Sequence, residues 1–456
     1  MKDAIQEIAA HALDRSAADM ASAVPAAKTF LLDTLGVGIV GSNGPKAADL
    51  VAAMGVQGSG AEARVWNFGQ PLPAAAAAFC NSYQTHCQEY DCVHEAAVAH
   101  VMTVVVPTAL AISERTGGVS GQALIEASII GADVASTLGV AASSGLRFFR
   151  PATVGAFGGV AAMGRLLGLS HTELVNAFSL VYGQLCGTMQ AHTEGSGLLA
   201  MQMGFNARNA VTAIDLARRG FTGPIGVLEG DFGYFGLIEE SGDIGALVGD
   251  LGKSWRIDEI AHKPFPSGRA THGIIDACLA LRAEHGLTSD AIQGIQIFVP
   301  PLINHLVGRP PRTEMAINYA RLCARYVAAC ALIGGEIALS DFTDAAYLRA
   351  EHQALAGRSA IIIEDADPNA LTPIRLEITL NDGQVLKREV TEVYGTPANP
   401  MTREAQIVKF RGNCAGAARP LPVGQVDALI AAVDGLEDVE DVTRLVDLTI
   451  ADGENA

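Results

Sequence analysis

From residue 1 to about 260, apolar side chains recur at helical spacing, interrupted by short Gly or Ser breaks. The clearest runs are Ala27 to Gly36, Ala74 to Tyr83, Val104 to Arg115 and Gln122 to Ala142, and each predicts a helix. Pro73 precedes the second run, which suits a helix start. The texture changes near residue 265. Ile292 to Val299 reads as a strand and Ala360 to Ile363 as a second, shorter one. Between Ile374 and Val390 apolar and polar positions alternate, and Asp382-Gly383 supplies a positive-φ turn, so this stretch predicts a hairpin. Helices are expected after Arg269 and across Met315 to Ile333. After Asn399-Pro400 helical spacing returns. Val426 to Leu448 reads as amphipathic, with Asp434, Glu437, Asp438, Glu440 and Asp441 as a solvated acidic face.

The pattern therefore predicts a mainly α protein. A large all-helical domain is formed by both chain ends (1–265 and 397–456), and a smaller α+β lid domain spans 266–396. A site at the junction of the two is the default expectation. Composition agrees: 49% of residues are hydrophobic, only 18% charged and 5% aromatic, which favours closely packed helices with a large core over disorder. The net charge of −18 disfavours nucleic acid and anionic membrane surfaces as partners. It also requires that cations be gathered locally if the substrate is an anion. The eight Cys follow no framework spacing and the opening MKDAIQEIAA lacks an apolar core, so reduced thiols and a cytoplasmic location are expected. No stretch reads as a membrane span; the best candidate, Ala123 to Ala142, carries Glu126 and Asp133.

Two motifs compete for attention. Gly36-Val37-Gly38-Ile39-Val40-Gly41 matches the dinucleotide fingerprint G-x-G-x-x-G, but that fingerprint needs a strand before it, and Phe30 to Leu35 reads as helix. No nucleotide cofactor is expected. The segment His86-Cys87-Gln88-Glu89-Tyr90-Asp91-Cys92-Val93-His94, with His100 beyond it, is rich in groups that bind metals. It lacks C-x-x-C and H-E-x-x-H, and neighbouring residues on a helix point apart. No metal is expected, and a metallohydrolase using the 86–100 cluster is a minor alternative.

That segment also carries a resemblance. Residues 86–93 resemble H-A-x-D-[FY]-D-D-T of the MmgE/PrpD family, and His100-Val101-Met102-Thr103-Val104-Val105-Val106-Pro107 resembles its H-P-[ST]-x-x-[VL]-x-P. Gly204 to Asn209, Ala261 to His272 and Ala320 to Ala328 resemble three further family segments, in order along the chain. The resemblance implies a helical domain with an α+β lid, a cleft between them, a homodimer, and no organic cofactor. Its known activities are dehydration of 2-methylcitrate, decarboxylation of cis-aconitate and epimerisation of iminodisuccinate.

These reactions share the cost of a carbanion-like centre next to a carboxylate. Fixed cations and a nearby base lower it. The expected function is a cofactor-independent, dehydratase-like lyase on a small di- or tricarboxylate, working by proton abstraction α to a carboxylate. An epimerase or decarboxylase, and a non-catalytic carboxylate-binding relative, are the alternatives. His100 is the expected base or acid, since His titrates near neutral pH. Lys263, Tyr326 and Glu89 complete the expected catalytic set. Arg208, Arg269, Arg150, Asp91 and His272 are expected to bind substrate, with Arg suited to bidentate carboxylate contacts. Three departures from the family pattern stand out: Glu89 in place of Asp, Val93 in place of Thr, and Arg150-Pro151 in place of His-Pro. Arg150 cannot carry protons, which leaves it the binding of an extra carboxylate.

Overall fold

The computed structural model describes residues 3–143, 145–343 and 349–451. The expected helices appear as Val24–Gly41, Ala74–His86, Met102–Thr116 and Gly121–Ala141. Each is one to five residues longer at an end than its apolar run suggests, or displaced by a residue. Arg150–Leu166 and Leu198–Ala217 pack against them to form the main core. Small residues let these helices approach. The three glycines of the apparent nucleotide fingerprint lie inside the helix Val24–Gly41. A Cβ on Gly41 would collide with the backbone of Gln84, so this glycine serves contact with the helix Ala74–His86 and not a phosphate.

Two helices, Ala21–Gly41 and Gly121–Ala141, are long and apolar enough to cross a membrane, contrary to the sequence reading. In this fold 72% and 83% of their apolar windows are buried inside the protein. The charges on the second are satisfied there. Asp133 Oδ2 lies 2.8 Å from His11 Nε2, and Glu126 pairs with Arg165 at 2.6 Å.

The predicted strands form a four-stranded sheet in the order 359–363, 292–299, 374–380, 385–390. The first pair is parallel and the others antiparallel. In the predicted hairpin Ile378 faces Leu386, and Gly383 adopts φ +88°, as the Asp-Gly turn requires. The helix His272–His285 packs on the two hairpin strands. The expected helix across Met315 to Ile333 is broken into Ile317–Arg321 and Ala324–Gly334. Its backbone is recruited elsewhere at the break: the Arg321 carbonyl accepts from Gly268 N–H at 3.1 Å, and Cys323 bridges Gly308.

The chain after residue 400 packs back on the first helices. Lys409 Nζ reaches Asp33 Oδ1 at 2.7 Å, with both side chains 5% exposed. The expected terminal helix also breaks, at Gly435, into Val423–Asp434 and Thr443–Asp447. Val439 between them accepts a hydrogen bond from Gly121 N–H at 2.7 Å. Four of the five acids are exposed, while Asp441 caps Thr443 N–H at 2.9 Å.

Candidate active site

The helix Ala74–His86 ends on His86, and the chain reverses through Glu89, which takes φ +51°. Val93–His94 then pairs antiparallel with Ile260–Ala261, which draws Lys263 against Glu89. A tight loop through Val98, at φ +48°, returns the chain to His100 just before the helix Met102–Thr116. Left-handed backbone at a β-branched residue is rare and costs about 1–3 kcal/mol, so this loop is held by its surroundings.

These turns gather a buried charge network. Asp91 Oδ2 accepts from Thr103 Oγ1 at 2.5 Å and contacts His86 Nδ1 at 2.9 Å. His100 Nδ1 lies 3.1 Å from the same oxygen, close but not in line for a strong hydrogen bond. Lys263, fully buried, donates to Glu89 Oε2 at 2.9 Å and lies 3.8 Å from Asp91 Oδ1. Burial by itself would raise both carboxyl groups. The His100 and His86 rings hold Asp91 well below the carboxylate range, and Lys263 with the same rings brings Glu89 to about 2. Burial disfavours a charged His86, but Asp91 and Glu89 outweigh it and raise its pKa. For His100 burial prevails, with Lys263 adding to it, so the ring titrates below its ordinary value. With an ionised carboxylate beside Nδ1, the proton of neutral His100 belongs there and Nε2 keeps its lone pair.

His100 and Glu89 line a partly open cavity of about 70 Å³. Three further polar side chains line it: Arg269, Glu95 and His192. Arg269 donates from Nε to Glu95 at 2.5 Å and from Nη1 to the Tyr394 carbonyl at 2.9 Å. Its Nη2 is buried and has no partner among the described residues. His192 comes from the short helix Gln190–Glu194, and Arg309 Nη2 lies 3.3 Å from its Nδ1. Arginine can only donate, so Nδ1 accepts and His192 carries its proton on Nε2. Burial, reinforced by Arg309, lowers His192 to about 3, so it is neutral. The rest of the wall is apolar, including Val93, Phe149, Met189, Leu302, Leu306 and Leu322.

The expected site residues thus divide. His100, Glu89 and Arg269 meet at the cavity, backed by Asp91 and Lys263. His272 does not reach it: Nδ1 accepts from Arg269 Nη1 at 3.2 Å and Nε2 faces the Ser267 carbonyl, so it positions Arg269. The remaining three depart from expectation. Arg150 gives its Nε and Nη2 to the buried Glu239 at 3.0 and 2.9 Å, so the carboxylate it holds is the chain's own. Arg208 stacks on Phe205, 5.2 Å from the ring centre, and is absent from the cavity wall. The Tyr326 hydroxyl donates to the Asp341 carbonyl at 2.7 Å, and the residue is absent from the cavity wall. His192 was missed, because it stands in a Gly-rich stretch with no periodicity and no motif around it.

His86, Asp91 and His100 do bring three ligand atoms within 4.8 Å of one another. A metal there would have to displace Thr103 and both imidazoles from the Asp91 oxygen they share. It would also lie close to the Lys263 ammonium. The donor set is better satisfied as a hydrogen-bonded network.

Buried neutral imidazoles predict acid sensitivity. Burial brings His192 to about 3 and His262 to about 4, and pushes His272 well below its ordinary range. Below the unfolded value of 6.5 the unfolded chain binds protons that the folded chain excludes, so stability falls as pH drops. Each contributes up to about 1.4 kcal/mol per pH unit, and the raised His86 offsets one of them. Urea unfolding should show clearly lower stability at about pH 5.5 than at about pH 7.5; an unchanged midpoint would mean that these rings are charged in the fold.

Fold, network and cavity define a helical protein with a buried His–Asp pair at the edge of a sheet-bearing unit. The sequence profile of the MmgE/PrpD N-terminal domain matches residues 6–245, and that of the MmgE/PrpD C-terminal domain matches residues 265–433. The chain belongs to the MmgE/PrpD family. It is similar to the cis-aconitate decarboxylases of Mus musculus (29% identical over 446 residues, 92% of this chain and 88% of the relative) and Homo sapiens (29% over 445 residues, 92% and 89%). The cis-aconitate decarboxylase of Aspergillus terreus is 28% identical over 451 residues, covering 93% of this chain and 91% of the relative.

Proposed function

We propose that this protein is a lyase that acts on a small carboxylate through proton transfer at the carbon next to the carboxyl group. The observation that supports it is the pairing of His100 with Asp91 at a cavity whose wall also includes Arg269. Arg269 would hold the carboxylate and stabilise the charge that builds on it as the C–H bond breaks. His100 Nε2 would take the proton, and Asp91 would stabilise the imidazolium that forms. The His192 Nε2 proton supplies a neutral donor for a substrate oxygen. A neutral base in the resting state suits abstraction first, hence elimination of a β-hydroxyl as water.

The similarity to cis-aconitate decarboxylases favours a second reading, in which loss of CO₂ leaves the electron pair on carbon and an imidazolium returns a proton. The two are separable by incubating the protein in D₂O with a panel of small hydroxy- and unsaturated carboxylates. NMR would follow deuterium at the α-carbon, and headspace analysis CO₂. Exchange or water loss without CO₂ supports the first reading, and CO₂ release the second. Turnover with no α-exchange, no water loss and no CO₂ release would sink both. Because His100 titrates below 6.5, kcat/KM should hold level down to that pH and fall only below it.

A further inference from the structure

Arg321 is a buried cation, 2% exposed, and its contacts are neutral. Nη1 donates to the Cys87 carbonyl at 2.7 Å, and Nη2 donates to the Gln88 side-chain oxygen. The Phe342 ring centre lies 5.5 Å from the guanidinium carbon. Nε is buried without a partner among the described residues. Glu89 is the carboxylate near enough to act on it, and that acid is already paired with Lys263. Burial therefore prevails and brings the guanidinium down to about 10. A cation held in this way costs the fold stability. A local cost with no evident structural gain is the mark of a residue kept for function.

Its placement shows what that cost serves. Cys87 closes the helix Ala74–His86, and from there the chain turns through Glu89 to Asp91. The Arg321 carbonyl accepts at 3.1 Å from the N–H of Gly268, the residue before Arg269. One residue thus grips the Glu89–Asp91 turn with its side chain and the Arg269 segment with its backbone. The helix break that follows Arg321 sets Leu322 against Gly268, where a Cβ would stand 2.6 Å from Leu322 Cδ2, and both residues line the cavity. We infer that Arg321 is a positioning residue: it fixes the turn that holds Asp91 against His100 and ties that turn to Arg269 on the same cavity wall. Its catalytic sense rests on His100 as the base.

The test is Arg321→Met in the full-length protein, with Arg321→Lys beside it. Methionine keeps the bulk and removes the charge. A purely structural arginine would leave a lower urea midpoint. Here the midpoint should stay near or above that of the wild type, because relief of a buried charge offsets two lost hydrogen bonds. Imidazole NMR on histidine-labelled protein, with His100→Ala to assign the ring, reads the geometry. The His100 titration should move to lower pH, since Asp91 is the strongest influence that raises it. Loss of a nearby cation alone would move it upward, so the direction separates displacement from charge. On any carboxylate that the wild type turns over, kcat should fall about ten- to a hundredfold, and Arg321→Lys should recover part of it. A clearly lowered midpoint, or a His100 titration that is unmoved or raised, would overturn the inference. If His100→Ala turns over as fast as the wild type, the proton-transfer reading fails, while a lowered His100 titration in Arg321→Met still supports the positioning role. If His100→Ala is inactive and Arg321→Met matches the wild type in kcat, the reading stands and this inference fails.

Discussion

Replacing His100 by alanine is expected to lower kcat/KM by about 10²–10⁴-fold, the usual contribution of a positioned general base. Among the described residues the ring is the one titratable side chain that pairs with Asp91 and also lines the cavity, so none of them is placed to replace it. His86 touches Asp91 as well, but it is absent from the wall. Asp91→Asn probes the same unit differently. Asp91 is the strongest of the influences that raise the His100 pKa, working against burial. Without that charge the imidazolium formed during the reaction loses its partner, and kcat should fall. The acid limb of the kcat/KM profile should move to still lower pH, because neutral His100 becomes harder to protonate. A drop in rate with an unmoved acid limb would show that Asp91 only supports the fold. Unchanged turnover in His100→Ala would remove the proton-transfer reading altogether.

The parts of this arrangement that could be read from the sequence are those with a local cause. Apolar periodicity marked the helices and the Asp-Gly hairpin, because the energetics of those elements lie between near neighbours in the chain. The broken helix at Leu322-Cys323 was not legible, since the groups that interrupt it, Gly268 and Gly308, are remote in sequence. The same holds for the cations. A motif can place an arginine in a segment, but it cannot show that Glu239 is 89 positions from Arg150 and lies against it. Motif context pointed to His100, Asp91, Glu89, Lys263 and Arg269, which the fold brings to or behind one cavity wall. Pairing, which only three dimensions reveal, decided which of the cations could still meet a ligand.

Lys263→Met should destabilise the protein by about 3–5 kcal/mol, the cost of leaving a buried charge without its partner. The ammonium is fully buried, and its contacts to Glu89 Oε2, the Glu89 carbonyl and Asp91 are all internal. Once it is removed, Glu89 faces burial with only the imidazoles beside it, and its pKa should climb from about 2. The pH dependence follows from that sign. In the wild type a depressed Glu89 contributes stability that is present above 4.5 and lost as pH falls toward about 2. In Lys263→Met that contribution shrinks or reverses, so the variant should lose most at neutral pH and approach the wild type in acid. Glu89→Gln combined with Lys263→Met should recover much of the loss, since two neutral side chains of similar volume pack without an unpaired charge. Urea midpoints for the two single variants and the double variant form the cycle that measures this. If Lys263 were chiefly a substrate ligand, its removal would raise KM and leave the midpoint in place. The geometry predicts the opposite: a lysine that anchors the strained turn at Glu89, and through it the position of Asp91 and His100 at the cavity.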